Sequence, residues 1–446
     1  MLTVVEVLSM RAYLRVKWDS LRTSMWFVPT ILILIIPLLG WLCIWVDYHT
    51  SHHIVAAPAL LVDITPEGVQ TLFSMLAGSL ITAGAVIFSI TIVVLTLITR
   101  QFGSYVLRTF RLKLYPKITI GVLIGTYLYA VLVVAVVSGE NTTDWRPVLT
   151  MVVGIGLTVL TFLLFITLLH KLSNEIQAPQ IVESVMGELR ERVLALSLRS
   201  DEEDENSEEN DLVSWKNQTL STIDLGLKLS GYLQTIDSQG LLEFCVEENC
   251  HLRVLKHPGQ FILTSYPVLE LYGISEMTDE QKERLRECFT VGAMRAPLDD
   301  LEFNLNQLVE ISLIALSPGM NHQFVALTCV NSIGEAIQLL MKRKCKSSML
   351  QDEEGVTRVA LDPFDFENFV DAGLNPLRQS VKEHPLLSSR LLELLKELVS
   401  LAPTKAHKDL LLQHVDVLFE EANAVTSSKL DKANLEQHYE AIAQLR

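Results

Sequence analysis

Few residues of this 446-residue chain stand where side-chain chemistry could be done. Arg295, Asp299 and Asp300 crowd together just ahead of an apolar, helix-periodic stretch. A guanidinium beside two carboxylates can hold a helix start through charge-assisted hydrogen bonds, or it can clamp a ligand. The structural role is the commoner one. "SPGMN", Ser317 to Asn321, reads as a turn between helices. Pro and Gly break the first helix and Asn321 is placed to cap the next. The alternative is a tight loop that offers backbone N–H groups to an anion. Arg295, Asp299, Asp300 and Asn321 together make the candidate polar cluster of the C-terminal half. His49, His52 and His53 in "HTSHH" could bind a metal or sense pH. Without acidic or Cys partners they read more simply as a loop.

The remaining chemistry is thin. The six cysteines (Cys43, Cys245, Cys250, Cys288, Cys329 and Cys345) form no C-x-x-C pair. "CVEENC", Cys245 to Cys250, lacks a His or Cys partner set, so reduced thiols are expected. "SDEEDENSEEND" lacks the alternating oxygen ligands and the glycine of a calcium loop, and reads as a solvated linker over 201–212. There is no P-loop, Rossmann glycine pattern, H-E-x-x-H or G-x-S-x-G. These absences lead to the expectation of no catalytic residues, no metal and no cofactor.

The elements that must carry these residues are unusual for a soluble protein. Half of the chain is apolar, and its mean hydropathy is positive, +0.32. Charge is split. Residues 1–171 hold 11 Lys/Arg and 7 Asp/Glu, whereas residues 172–446 hold 25 and 45. A membrane part joined to an acidic, water-exposed part accounts for both facts, and net acidity argues against nucleic acid as a partner, because phosphates repel it.

Spanning a bilayer takes about 20 apolar residues. Four stretches qualify, at about 26–46, 71–99, 118–137 and 148–169. The first begins too late and runs too long for a signal peptide. Arg11, Arg15, Lys17 and Arg22 precede span one, and no Lys or Arg lies in 47–70. Arg100, Arg108, Arg111, Lys113 and Lys117 lie in 100–117, and Arg146 alone in 138–147. Because positive loops stay inside, this alternation places both termini in the cytoplasm. Residues 1–25, with Tyr13 and Trp18, read as a basic interfacial helix or as an ordinary lead-in with snorkelling charges.

The second span carries a stripe. Ser74, Gly78, Thr82, Ala85, Ser89 and Thr96 fall on one helical face together with Thr71, interrupted by Ile92. Small residues permit close helix packing in lipid, and "GVLIG", Gly121 to Gly125, offers a partner groove. The alternative is a water-filled path lined by glycine and hydroxyl positions. The two can coexist. At 1.5 Å per residue the span is about 44 Å long against a core of about 30 Å, so it tilts or projects. No ionisable residue lies inside the four spans apart from their boundaries, which argues against a proton relay but not against a passive channel.

"AGSLITAGAVIFSITIVVLTLITRQFGSYVLRTF" (77–110), with "WFVPT" before it and "GVLIGTYLY" after it, resembles the signature of a bacterial family of predicted membrane proteins, domain of unknown function 2254. The resemblance returns in "SGYLQTID", "HPGQFILTSYPV" and "QLVEISLIALSPGMN", and so covers nearly the whole chain. It implies four spans and a cytosolic region, and supplies no activity. Where the family reads "SPGINDP" followed by "TA", this chain has His322 and Ala326. A ligand held by the family's Asp and Thr there would lose those partners in this chain.

After the spans, Ile176, Ile181, Val185, Leu189 and Val193 recur at helical spacing, extending the fourth span through 172–200. Residues 213–275 read as a small β-rich unit. It would contain a strand over Ile223–Leu229, a helix capped by Ser238, and a hairpin turning at Pro258-Gly259. Residues 276–446 read as a helical bundle, with helices near 278–292, 299–316, 322–344, 363–381, 386–401, 404–425 and 429–444. "TDEQ" is a capping box, and Asp362-Pro363 reads as a cap followed by a first-turn proline.

The expected fold is therefore four transmembrane helices plus a cytosolic α+β domain in a bacterial inner membrane. The expected function is a non-enzymatic, homo-oligomeric channel-like or channel-regulating protein, with the lipid bilayer, its own copies and an ion or small ligand as partners. The alternatives are a membrane-tethered scaffold or sensor and, third, a membrane enzyme.

Overall fold

The computed structural model describes residues 26–50, 65–103, 114–139, 147–175, 178–196, 215, 220–224, 230–274, 276–296, 300–343, 349–361 and 365–446. The expected basic helix at 1–25 and acidic linker at 201–212 lie outside these residues, as do His52, His53, Asp299, Cys345 and Asp362-Pro363. The four apolar runs are helices α1 (Phe27–Thr50), α2 (Pro66–Phe102), α3 (Leu114–Gly139) and α4 (Val148–Glu175). Each outruns its expected span, because a helix continues past its apolar stretch until a stop residue ends it. In α2 the stop and start are explicit. Thr65 caps it by accepting from the Gly68 N–H, Pro66 sits in the first turn, and Gly103 (φ 85°) ends it. Lys117, expected in a loop, lies in the first turn of α3 and is buried.

The chain divides into two compact units, one within Val16–Gln180 and one within Ile181–Arg446. In the first, α3 is the central helix, and α1, α2 and α4 all pack on it. Glycines allow the close approach. A Cβ on Gly121 or Gly125 would lie 2.8 or 2.7 Å from Leu32 or Ile36 of α1, and one on Gly154 would lie 2.4 Å from Phe73. The GxxxG groove of α3 therefore receives α1, not α2 as the stripe suggested. Tyr129 fills the centre, fully buried, and donates to the Thr150 carbonyl at 2.6 Å.

The second unit begins with α5 (Ala178–Leu196), whose Val182, Val185, Met186, Leu189 and Val193 are buried. There follow β1 (Leu220–Asp224), β2 (Gly231–Ile236), α6 (Ser238–Glu247), β3 (His251–Val254), β4 (Phe261–Ile262), β5 (Pro267–Tyr272), α7 (Asp279–Glu287) and β6 (Phe289–Gly292). Helices α8 (Leu301–Leu316) and α9 (Gln323–Met341) precede β7 (Met349–Gln351) and β8 (Thr357–Ala360). Helices α10 (Phe366–Val381), α11 (Pro385–Leu401), α12 (Lys405–Val425) and α13 (Lys429–Ala443) complete it. One sheet has the order β1-β5-β3-β8-β7, and a second has β4-β2-β6. All pairings are antiparallel except β3 with β8.

Several expectations need correction. The hairpin at Pro258-Gly259 does not form: the chain turns there, but β3 stays in the larger sheet and β4 crosses to pair with β2. The helix expected over 278–292 ends at Glu287, where Phe289–Gly292 pairs with β2 instead. Asp237, not Ser238, caps α6, and Asp365 caps α10. Strand β1 spans Leu220–Asp224, upstream of the expected Ile223–Leu229, whose last five residues are outside those described. Strands β6, β7 and β8 lie beyond residue 275, so the β structure is not confined to one segment. The capping box of α7 is present, with Thr278 and Gln281 exchanging both bonds.

By length and composition five helices could cross a membrane, the fifth being α9. It is the core helix of the second unit: Ala326, Cys329, Val330, Ile333, Ala336 and Ile337 are fully buried, and it packs on α8, α10 and α11.

Candidate functional site

Two faces of α2 are built differently. Phe73, Leu80, Ile87 and Val94 recur every seven residues, with Thr91 and Ile98 on the same side, and all are buried against the unit. Thr71, Gly78, Ala85 and Ile92 recur every seven residues as well, with Met75, Thr82, Ser89 and Thr96 as the second row, and all are exposed. At 100° per residue the two seams are about 160° apart. Ser74 flanks the outer seam and is also exposed. The stripe is thus not the surface on which α2 packs within its own unit. Its hydroxyls are turned onto the helix: Thr82 donates to the Gly78 carbonyl and Thr96 to the Ile92 carbonyl, both at 2.9 Å. Apart from its own turn of helix, no described heavy atom lies within 4 Å of where a Gly78 Cβ would sit.

The other outward faces of this unit are bulky. Helix α1 exposes Leu34, Leu38, Trp41 and Trp45, and α4 exposes Val159, Leu160, Leu163 and Ile166. Such side chains suit lipid contact.

Asp47 is an acid that the apolar-run reading leaves at a boundary. It is 3% exposed in the last turns of α1. Its carboxylate accepts from the Leu149 N–H at 3.1 Å, the Thr150 N–H at 2.8 Å and the Thr150 hydroxyl at 2.7 Å. It therefore caps α4 from about a hundred residues away, placing negative charge at the positive end of that helix. His49, expected in a loop, lies in α1, where its Nδ1 is 2.9 Å from the Trp45 carbonyl.

In the second unit the Arg295 cluster resolves into a structural node. Arg295 donates from Nε and Nη2 to Asp300 at 2.6 and 2.7 Å and to Glu302 at 3.2 Å. Asp300, 1% exposed, accepts from the Phe303 N–H and so caps α8. Burial alone would lower the Arg295 pKa, but the bonds and charges of Asp300 and Glu302 outweigh it and raise it. A Cβ on Gly259 (φ 96°) would stand 2.5 Å from this carboxylate, so the turn that moves the chain between sheets rests on the node.

Asn321 does not belong to it. It follows the far end of α8, and 16 residues of helix span about 24 Å. Nor does it cap α9: His322 occupies the cap position without a side-chain bond, and Asn321 accepts from Gln323 at 3.4 Å. The N–H groups of Ser317, Met320, Asn321 and His322 all donate to nearby carbonyls, which removes them from any anion.

Cys43, Cys245, Cys250, Cys288 and Cys329 are free thiols. The hydrogen bond to Cys250, then burial, raises the Cys245 pKa, and burial pushes Cys288 and Cys329 up to about 12. These three stay protonated and are poor nucleophiles at neutral pH. Among the described residues no group of His, Cys, Asp and Glu could hold a metal ion. A shallow groove of about 170 Å³ between α9 and α11 is lined by Asn331, Glu335, Gln338, Arg390 and Glu397, together with apolar residues.

The model of the predicted membrane protein family, domain of unknown function 2254, matches residues 22–397. Uncharacterized proteins of two Mycobacterium tuberculosis strains and of Mycobacterium bovis are each 23% identical over 347 residues, covering 75% of this chain. The match spans 64% of the length of each relative. No solved structure matches the chain significantly. With long apolar helices in its first unit, a mixed α/β second unit and a family match running from before α1 into α11, the chain belongs to the predicted membrane proteins of domain of unknown function 2254.

Proposed function

We propose that this protein spans the bacterial inner membrane through α1 to α4, with both termini cytoplasmic, and assembles with its own copies through the outer seam of α2. The assembly is channel-like or regulates a channel, and it performs no catalysis. One observation carries this reading: α2 repeats a seven-residue register on the face that its own unit leaves exposed. What sets this face apart is residue size: Gly78, Thr82, Ala85, Ser89 and Thr96 are small, interrupted by Met75 and Ile92, whereas the exposed faces of α1 and α4 are mostly large side chains. Small residues along such a seam let backbones approach, and around a closed ring they would line or flank the axis. The charge alternation along the loops supports the orientation.

Single cysteines at Ala85 and, as a control on the outer face of α4, at Leu160 test the assembly in intact membranes. Efficient oxidative cross-linking between copies at Ala85 with little at Leu160 is the expected result. Equal yields at the two positions would remove the seam. In planar bilayers, unitary currents whose size changes on Thr82→Trp would place the seam at a pore. Silence from intact oligomers would leave the channel-regulating role.

The groove between α9 and α11 favours a second reading, a sensor for an ion or a ligand of a few atoms. Its volume is below the usual range of about 300–1,000 Å³ for a drug-sized ligand.

A further inference from the structure

The smaller sheet presents a surface that the rest of the second unit does not prepare for. Strand alternation puts Phe261 and Leu263 outward and Ile262 inward, and the outward pair is 49% and 57% exposed. Tyr232 pairs with Phe261 across the strands, the rings meeting edge-on at 5.0 Å. Tyr266 (50%) and Met294 (76%) extend the exposed apolar area. The Gln234 side chain crosses Gly292 and donates to the Met294 carbonyl at 2.8 Å, which ties the β6 end to the sheet. Lys256 holds its ammonium 5.3 Å from the centre of the Tyr266 ring. Exposed large apolar side chains at Phe261 on β4, at Leu263 and Tyr266 just after it and at Met294 just after β6 mark this end of the smaller sheet as an interaction surface.

Charge says what covers it. From residue 181 onward 44 of 266 residues are Asp or Glu, one in six, against 25 Lys and Arg. Yet residues 230–236, 255–266 and 288–296, which build the β4-β2-β6 strands and the turn into β4, contain no acid; they carry Lys256, whereas Arg295 is bound to Asp300 and Glu302. An anionic surface repels a unit of this net charge, and least so at a face that carries no acid. Aromatic rings beside a lysine are the side chains that settle at headgroup level. The second unit is joined in sequence to α4, so its contacts with a bilayer around that helix are intramolecular in kind, and weak ones suffice.

We propose that the β4-β2-β6 face, through Tyr232, Phe261, Leu263, Tyr266, Met294 and Lys256, docks on an anionic lipid surface. The proposal rests on the membrane character of the first unit and not on assembly through α2.

Full-length protein, one copy per lipid nanodisc, tests it by hydrogen exchange read at residues 257–267 and 292–296. Discs of phosphatidylcholine with phosphatidylglycerol are compared with discs of phosphatidylcholine alone. Exchange at these segments is expected to be at least about five-fold slower in the anionic discs. Lys256→Gln should shrink the difference by about five-fold, the effect of one basic residue near such a surface. Phe261→Asp combined with Leu263→Asp should abolish it while α8 to α13 exchange as before, which shows the fold intact. Equal exchange in the two lipids overturns the proposal. So does slowing that appears only in discs holding two copies, which would assign the face to a second chain. The single-copy discs contain no assembly, so failure here and failure of the α2 seam are told apart.

Discussion

The two units solve the same packing problem for different surroundings. The first puts large apolar side chains outside, Trp41, Phe88 and Ile166 among them, and uses glycines inside so that helices approach closely. The second puts charges outside and leucines inside, and starts six of its helices with dedicated caps: Asp237, Thr278, Asp300, Asp365, Thr404 and Ser428. In the first unit a cap of this kind is printed in the sequence at Thr65, whereas α4 borrows Asp47 from α1. Where water can satisfy a helix end, a local cap adds a modest stabilisation. Where lipid lies nearby, an unsatisfied end is far more costly, and the bundle must supply the partner.

The contrast can be tested at single residues. The largest effect is expected at Asp300→Ala, which leaves Arg295 buried without its main partner and uncaps α8. A loss of about 3–5 kcal/mol is expected in denaturant unfolding of the second unit, with the helices of the first unaffected. Next comes a glycine pair. Gly154→Leu would drive into Phe73 and Tyr129, and overpacking of this kind costs about 1–3 kcal/mol. Gly78→Leu faces open space and should leave the thermal stability of a single copy unchanged while reducing cross-linking at Ala85. Equal destabilisation by both would erase the distinction between the two faces of α2. Asp47→Ala removes the borrowed cap and strips the Leu149 and Thr150 N–H groups of their acceptor, and a loss of about 1–3 kcal/mol is expected, read as faster hydrogen exchange at the start of α4.

The smallest expected effect concerns pH. His414 is buried 3.1 Å from Asp371, and burial, assisted by the charge of Arg378, lowers its pKa despite the opposing pull of Asp371. Below its ordinary value of about 6.5 the unfolded chain takes up the proton first, so this contribution is complete above that pH and declines as pH falls. The melting temperature of the second unit should drop from about pH 7.5 to about pH 5.5, and His414→Gln should flatten that part of the slope.

What could be read in advance follows the range of the forces involved. The apolar helices α1 to α4 are legible because a run of about 20 apolar residues reads as one long helix, although α9 shows that such a run can equally be a buried core helix. The Thr278–Gln281 capping box was legible because its partners are three residues apart. The turn at Pro258-Gly259 was legible too, yet the hairpin was not, because strand partners are chosen by distant residues. The end of α7 was hidden because Phe289, Thr290 and Val291 suit a strand only when β2 is there to receive them. Which face of α2 turns inward could not be read, since both faces carry the same seven-residue period. Phe73 against Tyr129, and Leu123 beside Gly84, decide it through shape. Arg295 and Asp300 are legible as a pair because they are five residues apart, whereas the length of α8 carries Asn321 away from them.

The parallel pairing of β3 with β8 has a consequence for the order of synthesis. The His251 ring and the Thr357 carbonyl, 2.9 Å apart in the finished sheet, are separated by 106 positions along the chain. At about 5–20 residues per second the ribosome needs roughly 5–20 s to pass from one to the other. Throughout that interval β3 and β5 can pair but the β3 edge stays open, a bare row of backbone donors and acceptors facing whatever the nascent chain meets. Helix α6, on which β3 and β8 both pack, is already translated by then, and α8 and α9 emerge during the wait, so β8 is the last piece to reach a layer that is otherwise complete.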